Sequence, residues 1–191
     1  AAGLFGPVFG HVGDGNFHSE IFCDPDDADE VERARRVTRD MVERALELRP
    51  ESMIARRYLA ELAQKEGDWS AAAEQWRAYL ALDPAPAWVW FNLGFALQRS
   101  GRGAASVAAY RELLARDPQH AQGKFNLAWE LAQGTDRAGL EESLALFADV
   151  LAARPDYNEC HVHRATALEK LGRLEEARAA REEYARGRER P

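Results

Sequence analysis

Cysteine is scarce in this chain of 191 residues. Its two copies, Cys23 and Cys160, stand far apart with no CxxC or comparable spacing, which excludes a disulfide framework and a zinc knuckle. A reducing compartment, and so a cytoplasmic location, is the expectation. Long apolar runs are absent too: nothing approaches the roughly eighteen residues that a membrane span needs, so no membrane span is expected. Basic charge is in deficit, with 25 Lys and Arg against 32 Asp and Glu and a formal net charge of -7. Phosphate recognition needs a basic surface, so no nucleic-acid partner is expected. There is no Gly-rich phosphate loop leading into a helix. An initiating Met is missing as well. The chain opens Ala1-Ala2-Gly3 without the basic stretch or apolar run of a secretory signal, and the N-terminus reads as an internal cut.

What is present is an ordinary globular share of apolar residues, 46%. Charge is spread unevenly. Residues 1–48 hold 11 Asp or Glu against 5 Arg, a net of -6, leaving 21 acidic and 20 basic residues, a net of -1, for the remainder. Composition changes near Leu48, and the domain boundary is expected there, with 1–48 separate from 49–191.

Beyond that boundary a spacing of 34 residues repeats, in register on Pro84, Pro118 and Pro155. The segments are 53–86, 87–120, 121–157 and 158–191, the third with three extra residues around Gly134 to Arg137. Each has an apolar helical stripe, a turn at Gly67, Gly101, the Gly134 region or Gly172, and a second stripe. The first three close on Asp-Pro or Arg-Pro, where Pro cannot continue the helix. The segment AWVWFNLGFALQRSGRGAASVAAYRELLARDPQH places Trp90, Leu93, Gly94, Tyr110 and Pro118 where W-x2-L-G, a later aromatic and a closing Pro belong, and resembles the tetratricopeptide (TPR) family. Partial matches are Leu59, Ala60, Ala72, Trp76 and Pro84; Leu127, Ala128, Phe147 and Pro155; and Ala165, Ala177 and Arg181, the last in place of an aromatic. The expected fold is mainly α: a TPR helix-turn-helix solenoid of about four repeats, with an N-terminal β-hairpin plus helix.

In that family the first helix of each pair lines a concave groove that takes a peptide or a partner helix. The resemblance puts Arg57, Glu61, Trp88, Phe91, Phe95, Phe125, Trp129, Val162 and Thr166 on this face, five of them aromatics from two consecutive repeats. Aromatics at helical spacing equally suit packing between repeats. Asn92 and Asn126 sit at first-helix positions where some members clamp a carboxylate, but the flanking Lys and Arg are not in the pattern. Helix-to-helix hydrogen bonds are expected of them instead.

Residues 1–48 read as strand, turn, strand, helix. Segments 5–12 and 17–23 are rich in Val, Ile and Phe, and Gly13-Asp14-Gly15-Asn16 between them is turn chemistry. With Asp14-Gly15 as the central pair of a tight hairpin, His11 pairs with His18 on one face, with Glu20 two residues on. Two imidazoles so placed can chelate a divalent ion, although neighbouring histidines on a hairpin need not bind anything. A helix is expected over 31–48, with Pro25 opening it and acids at its N-terminus.

The stretch GPVFGHVGDGNFH resembles the C-terminal domain of FAD-linked oxidases of the D-lactate dehydrogenase and glycolate oxidase type. The resemblance implies that His11 and His18 are ligands of a divalent metal, Zn or Mn, and that Asn16 lies near substrate and flavin; Glu20, by its place on the hairpin face, is a candidate substitute for the third ligand. In that family a Glu-His-Gly motif and an FAD-binding domain complete the site. Neither is in this sequence, and His161 and His163, two apart on a helix, are poor co-ligands. No cofactor is expected in this chain, and no dehydrogenase turnover. The join near residue 49 reads as a gene fusion or an assembly artefact. Binding of a protein or peptide partner in the groove is the expected function. The alternative is a fragment of an FAD-dependent, metal-assisted 2-hydroxy-acid dehydrogenase, not competent alone.

Overall fold

The computed structural model of the chain describes residues 8–10, 17–19, 24 and 26–188. These fall into two compact units, Ala1–Leu59 and Ala60–Pro191. Among the described residues no helix is long and apolar enough to cross a membrane.

The first unit contains β1 (Val8–Gly10), β2 (Phe17–Ser19), α1 (Ala28–Leu48) and the start of α2 (Met53–Glu66). β1 and β2 pair antiparallel with Phe9 opposite His18. The N-terminal hairpin expected over 5–12 and 17–23 is therefore not supported. Among the described residues pairing covers three residues per strand, and His18 faces Phe9 rather than His11. A two-stranded sheet with no further strand has little to fix its register or length. α1 begins at Ala28, three residues before the expected 31. Its N-cap is Asp27, whose Oδ1 accepts from the amides of Asp29 and Glu30 at 2.9 and 3.1 Å. Of its 21 residues only Ala34 is buried.

The second unit continues α2 and adds α3 (Trp69–Leu82), α4 (Ala87–Arg99), α5 (Gly103–Arg116), α6 (Ala121–Gln133), α7 (Arg137–Ala153), α8 (Glu159–Lys170) and α9 (Leu174–Arg188). In the first three pairs the second helix carries a large buried anchor, in turn Trp76, Tyr110 and Phe147, all fully buried. Ala60 and Ala96 of first helices and Ala72, Ala73 and Ala109 of second helices let neighbouring helices approach closely around Trp76. Gly94 does the same for Tyr110: a Cβ there would stand 2.6 Å from Tyr110 Cε1.

Three of the four turns end the first helix with glycine at positive φ, Gly67 at 80° and Gly101 and Gly172 at 75°. The residue after each glycine donates its amide five residues back, Asp68 to Ala63, Arg102 to Leu97 and Arg173 to Leu168, satisfying carbonyls that the helix leaves open. Gly134 departs from this with φ -69° and ψ -179°. The three extra residues of the third repeat lengthen α7, which has 17 residues against 14 in α3 and α5. With the glycine turn gone, Lys170 of the next repeat supplies the cap. Its Nζ donates to the carbonyls of Ala132, Gln133 and Gly134 at 2.6, 2.8 and 3.1 Å.

Candidate functional site

First helices of successive TPR-like pairs lie side by side, so any surface they share is built from α2, α4, α6 and α8. Between α2 and α4 lies a cleft of about 430 Å³ lined by Glu61, Gln64, Lys65, Trp69, Phe91, Asn92 and Phe95. Spacing explains the set: 61, 64 and 65 are one face of α2, and 91, 92 and 95 one face of α4. Phe91 and Phe95 stack at 6.5 Å with planes 7° apart, and Trp69 meets Phe95 edge-on at 5.4 Å. Both Phe rings are half-buried. Arg99, one turn beyond Phe95, lays its guanidinium 4.6 Å from the Trp69 ring and 6.0 Å from that of Phe95.

The other expected groove residues take different places. Trp88, 41% exposed, packs edge-on to Trp76 at 5.7 Å and against Tyr79 at 5.6 Å, turned toward α3. Phe125 is core, 9% exposed against Phe147, Tyr157 and His163. Trp129 is half-buried and meets His163 at 6.4 Å. Val162 and Thr166 are half-buried on α8, the Thr166 hydroxyl donating to the Val162 carbonyl. Arg57 is exposed and belongs to the first unit. Sequence reasoning missed Trp69 and Arg99. The signal was there: an aromatic directly after a Gly-Asp turn, and a cation four residues after a groove Phe.

Behind the cleft a chain of side-chain hydrogen bonds crosses the repeats. The Tyr157 hydroxyl donates to Gln122 Oε1, Gln122 Nε2 to Asn126 Oδ1, Asn126 Nδ2 to the Tyr110 hydroxyl, and that hydroxyl to Gln98 Oε1, each at 3.0 Å. Every donor has an acceptor, which is what makes a buried polar chain tolerable. Asn126 thus makes the expected helix-to-helix bond. Asn92 does not: its Nδ2 donates to the Trp88 carbonyl of its own helix at 2.9 Å. Burial raises the Tyr110 hydroxyl above the usual tyrosine range and raises the Glu130 carboxyl, which sits beside Ser106 and Gln98.

The metal-type residues are described only in part. His11, Asn16 and Glu20 lie outside the described residues, and of His18 only the strand pairing is described. Among the described residues no three His, Cys, Asp or Glu gather as metal ligands. His161 and His163 point to different surroundings: His163 sits among Phe125, Trp129 and Phe147, while Glu183 and Arg164 act electrostatically on His161. Burial lowers both imidazoles. Cys160 is buried and free, its thiol pushed up to about 12 by burial.

Comparison with known proteins finds two families, whose matches overlap over residues 36–49. The family described as "FAD linked oxidases, C-terminal domain" matches residues 2–49. A curated relative, "Probable D-lactate dehydrogenase, mitochondrial" of Danio rerio, is 54% identical over 43 residues, which is 22% of this chain and 9% of the relative. The chain therefore spans less than a tenth of that protein. Among solved structures, MamA is similar with a TM-score of 0.72 at 16% identity, over 88% of this chain and 97% of that one. YrrB, "a TPR protein with an unusual peptide-binding site", gives 0.74 at 14% identity over 82% and 79%. PilW, a "type IV pilus biogenesis factor", gives 0.62 at 24% over 84% and 73%. At these identities the likeness is one of fold. The tetratricopeptide-repeat model matches 36–87, 59–121, 91–134 and 136–191, most of the chain, and the chain belongs to the tetratricopeptide-repeat family.

Proposed function

We propose that this chain is a protein-interaction scaffold whose α2–α4 cleft captures a peptide or helix of a partner protein. The observation that carries the reading is the half-open aromatic trio lining the cleft, Phe91 and Phe95 from α4 and Trp69 from the start of α3. Rings held rigid by one another offer contact area with little entropy left to lose. YrrB, similar in fold, is described as having a peptide-binding site, which supports the same use here. In this reading Glu61, Phe91 and Phe95 form the contact surface directly. Arg57, Trp88, Phe125 and Trp129 belong to its surroundings. The acidic balance supports a protein rather than a nucleic-acid partner, and two cysteines without pairing spacing support a reducing, cytoplasmic setting. The test is selection of displayed peptides on the full chain, followed by titration against Phe95→Ala. Binders that lose tenfold or more in affinity with Phe95→Ala support the reading; binders indifferent to it exclude the cleft.

A second reading has its own observation, the 54% identity over 43 residues with a probable D-lactate dehydrogenase. In it residues 1–48 are a piece of a 2-hydroxy-acid dehydrogenase C-terminal domain, not competent alone, and 49–191 are the repeats. His11 and His18, with Glu20, would hold a divalent metal, Asn16 would lie near the substrate, and FAD would come from a domain this sequence does not contain. Elemental analysis and visible absorbance of the purified chain, with His11→Ala/His18→Ala as control, decide it. Stoichiometric metal lost in the double variant supports a retained site; its absence removes the reading.

A further inference from the structure

The α2–α4 cleft joins an apolar floor to a cationic rim in a chain of formal net charge -7. Lys65 lies in the last turn of α2 and Arg99 in the last turn of α4. Both are exposed, and among the described residues neither forms an ion pair, whereas Arg111, Arg116, Arg173 and Arg181 all reach a carboxylate. Stacking over Trp69 and Phe95 immobilises the Arg99 guanidinium while leaving its N–H edge free to donate. Two polar groups complete the lining. Gln64 makes no side-chain hydrogen bond among the described residues, and Asn92, with Nδ2 committed to the Trp88 carbonyl, keeps Oδ1 as an acceptor. The acid of the lining, Glu61, has an interaction of its own.

Resting on the scaffold reading above, we propose that the cleft selects a partner segment in which an aromatic side chain stands beside Asp or Glu. The ring joins Trp69, Phe91 and Phe95, the carboxylate is taken by Lys65 and Arg99, and Gln64 and Asn92 bond the peptide backbone. The proposal rests on charge complementarity. A neutral segment leaves two cations beside an apolar floor unpaired, and a basic one adds repulsion to them. A carboxylate next to a stacked guanidinium forms an ion pair partly shielded from water, where it is worth more than on an open surface.

The test is fluorescence anisotropy on the full chain with short labelled peptides, acetylated and amidated so that only side chains carry charge. One has a central Phe flanked by Asp and Glu, a second replaces these with Asn and Gln, and a third with Lys. The acidic peptide should bind roughly tenfold more tightly than the amide peptide, with the Lys peptide weakest. That preference should shrink as salt rises from about 0.05 M to about 1 M. Lys65→Glu/Arg99→Glu, two exposed positions whose change leaves the core intact, should invert the order so that the Lys peptide binds best. Equal binding of acidic and amide peptides, an order unchanged by the charge reversal, or no binding of the acidic peptide below about 1 mM would each overturn the proposal. If all three peptides bind alike and Phe95→Ala weakens them together, only the charge preference falls. If Phe95→Ala binds as the parent does, the cleft itself is wrong.

Discussion

One repeat position is filled four times, by Trp76, Tyr110, Phe147 and Arg181. The first three are fully buried, whereas the Arg181 side chain is 62% exposed and pairs with Glu169 at 2.7 Å. What separates them is the helix that follows. Trp76 meets Trp88 of α4, Tyr110 accepts from Asn126 of α6, and Phe147 stacks on His163 of α8. Behind α9 the described structure has no such helix. Burial at this position follows from the next helix pair: it covers the three aromatics, and Arg181, with none behind it among the described residues, is exposed.

Removing an interior anchor should have the largest effect. Phe147→Ala leaves a cavity among Phe125, His163 and Leu140 and should cost about 3–5 kcal/mol, read as a lowered midpoint in urea denaturation. A loss below about 1 kcal/mol would mean that neighbouring repeats collapse onto the gap, and that the anchors are less decisive than their burial suggests.

Overfilling comes next. Gly94→Ala drives a Cβ to 2.6 Å from the Tyr110 ring, and relief requires that ring to shift from its bonds with Asn126 and Gln98. A cost of about 1–3 kcal/mol is expected in the same measurement. Tyr110→Phe in the Gly94→Ala background distinguishes crowding from lost hydrogen bonding: crowding persists with Phe.

The turns sharpen the comparison at a smaller scale. Gly101→Ala forces a side chain into φ 75° and should cost about 1 kcal/mol. Gly134→Ala, at φ -69°, should stay within about 0.5 kcal/mol, since the entropy it saves is offset by its approach to the Leu131 carbonyl at 3.3 Å. Lys170→Met should cost about 1–2 kcal/mol, because it unseats three carbonyls that no glycine turn covers.

These residues also show how far the fold was legible before the structure. Period, proline punctuation and glycine turns are local signals, and they placed the four helix pairs. Gly134 broke the rule because three added residues went into α7, a choice that spacing alone does not fix. Pairing in β1 and β2 was misjudged for a related reason: turn chemistry predicts register only when a buried face enforces it. In the cleft, the i, i+4 spacing that puts Phe91 and Phe95 on one face of α4 is legible in the sequence. That Phe125, the equivalent of Phe91 one repeat of 34 residues on, sits in the core depended on Tyr157 and His163, which arrive from later in the chain. Arg99 and Trp69 meet only where α3 and α4 are brought together, which spacing within one helix does not show.

The smallest expected effect is at the odd member of the set. Arg181→Ala removes an exposed ion pair with Glu169 and should change stability by no more than about 0.5 kcal/mol, with the midpoint nearly unmoved. Its value lies in the contrast with Phe147→Ala, since the two substitutions strip the same repeat position. A second variant tests the cause. Arg181→Phe restores the interior residue type without the covering helix, so the ring stays in water and no stability near that of Phe147 is gained. If Arg181→Phe instead stabilised the chain by about 2 kcal/mol, the ring would have found cover within its own repeat. Burial would then be a property of the helix pair rather than of the neighbour that follows it.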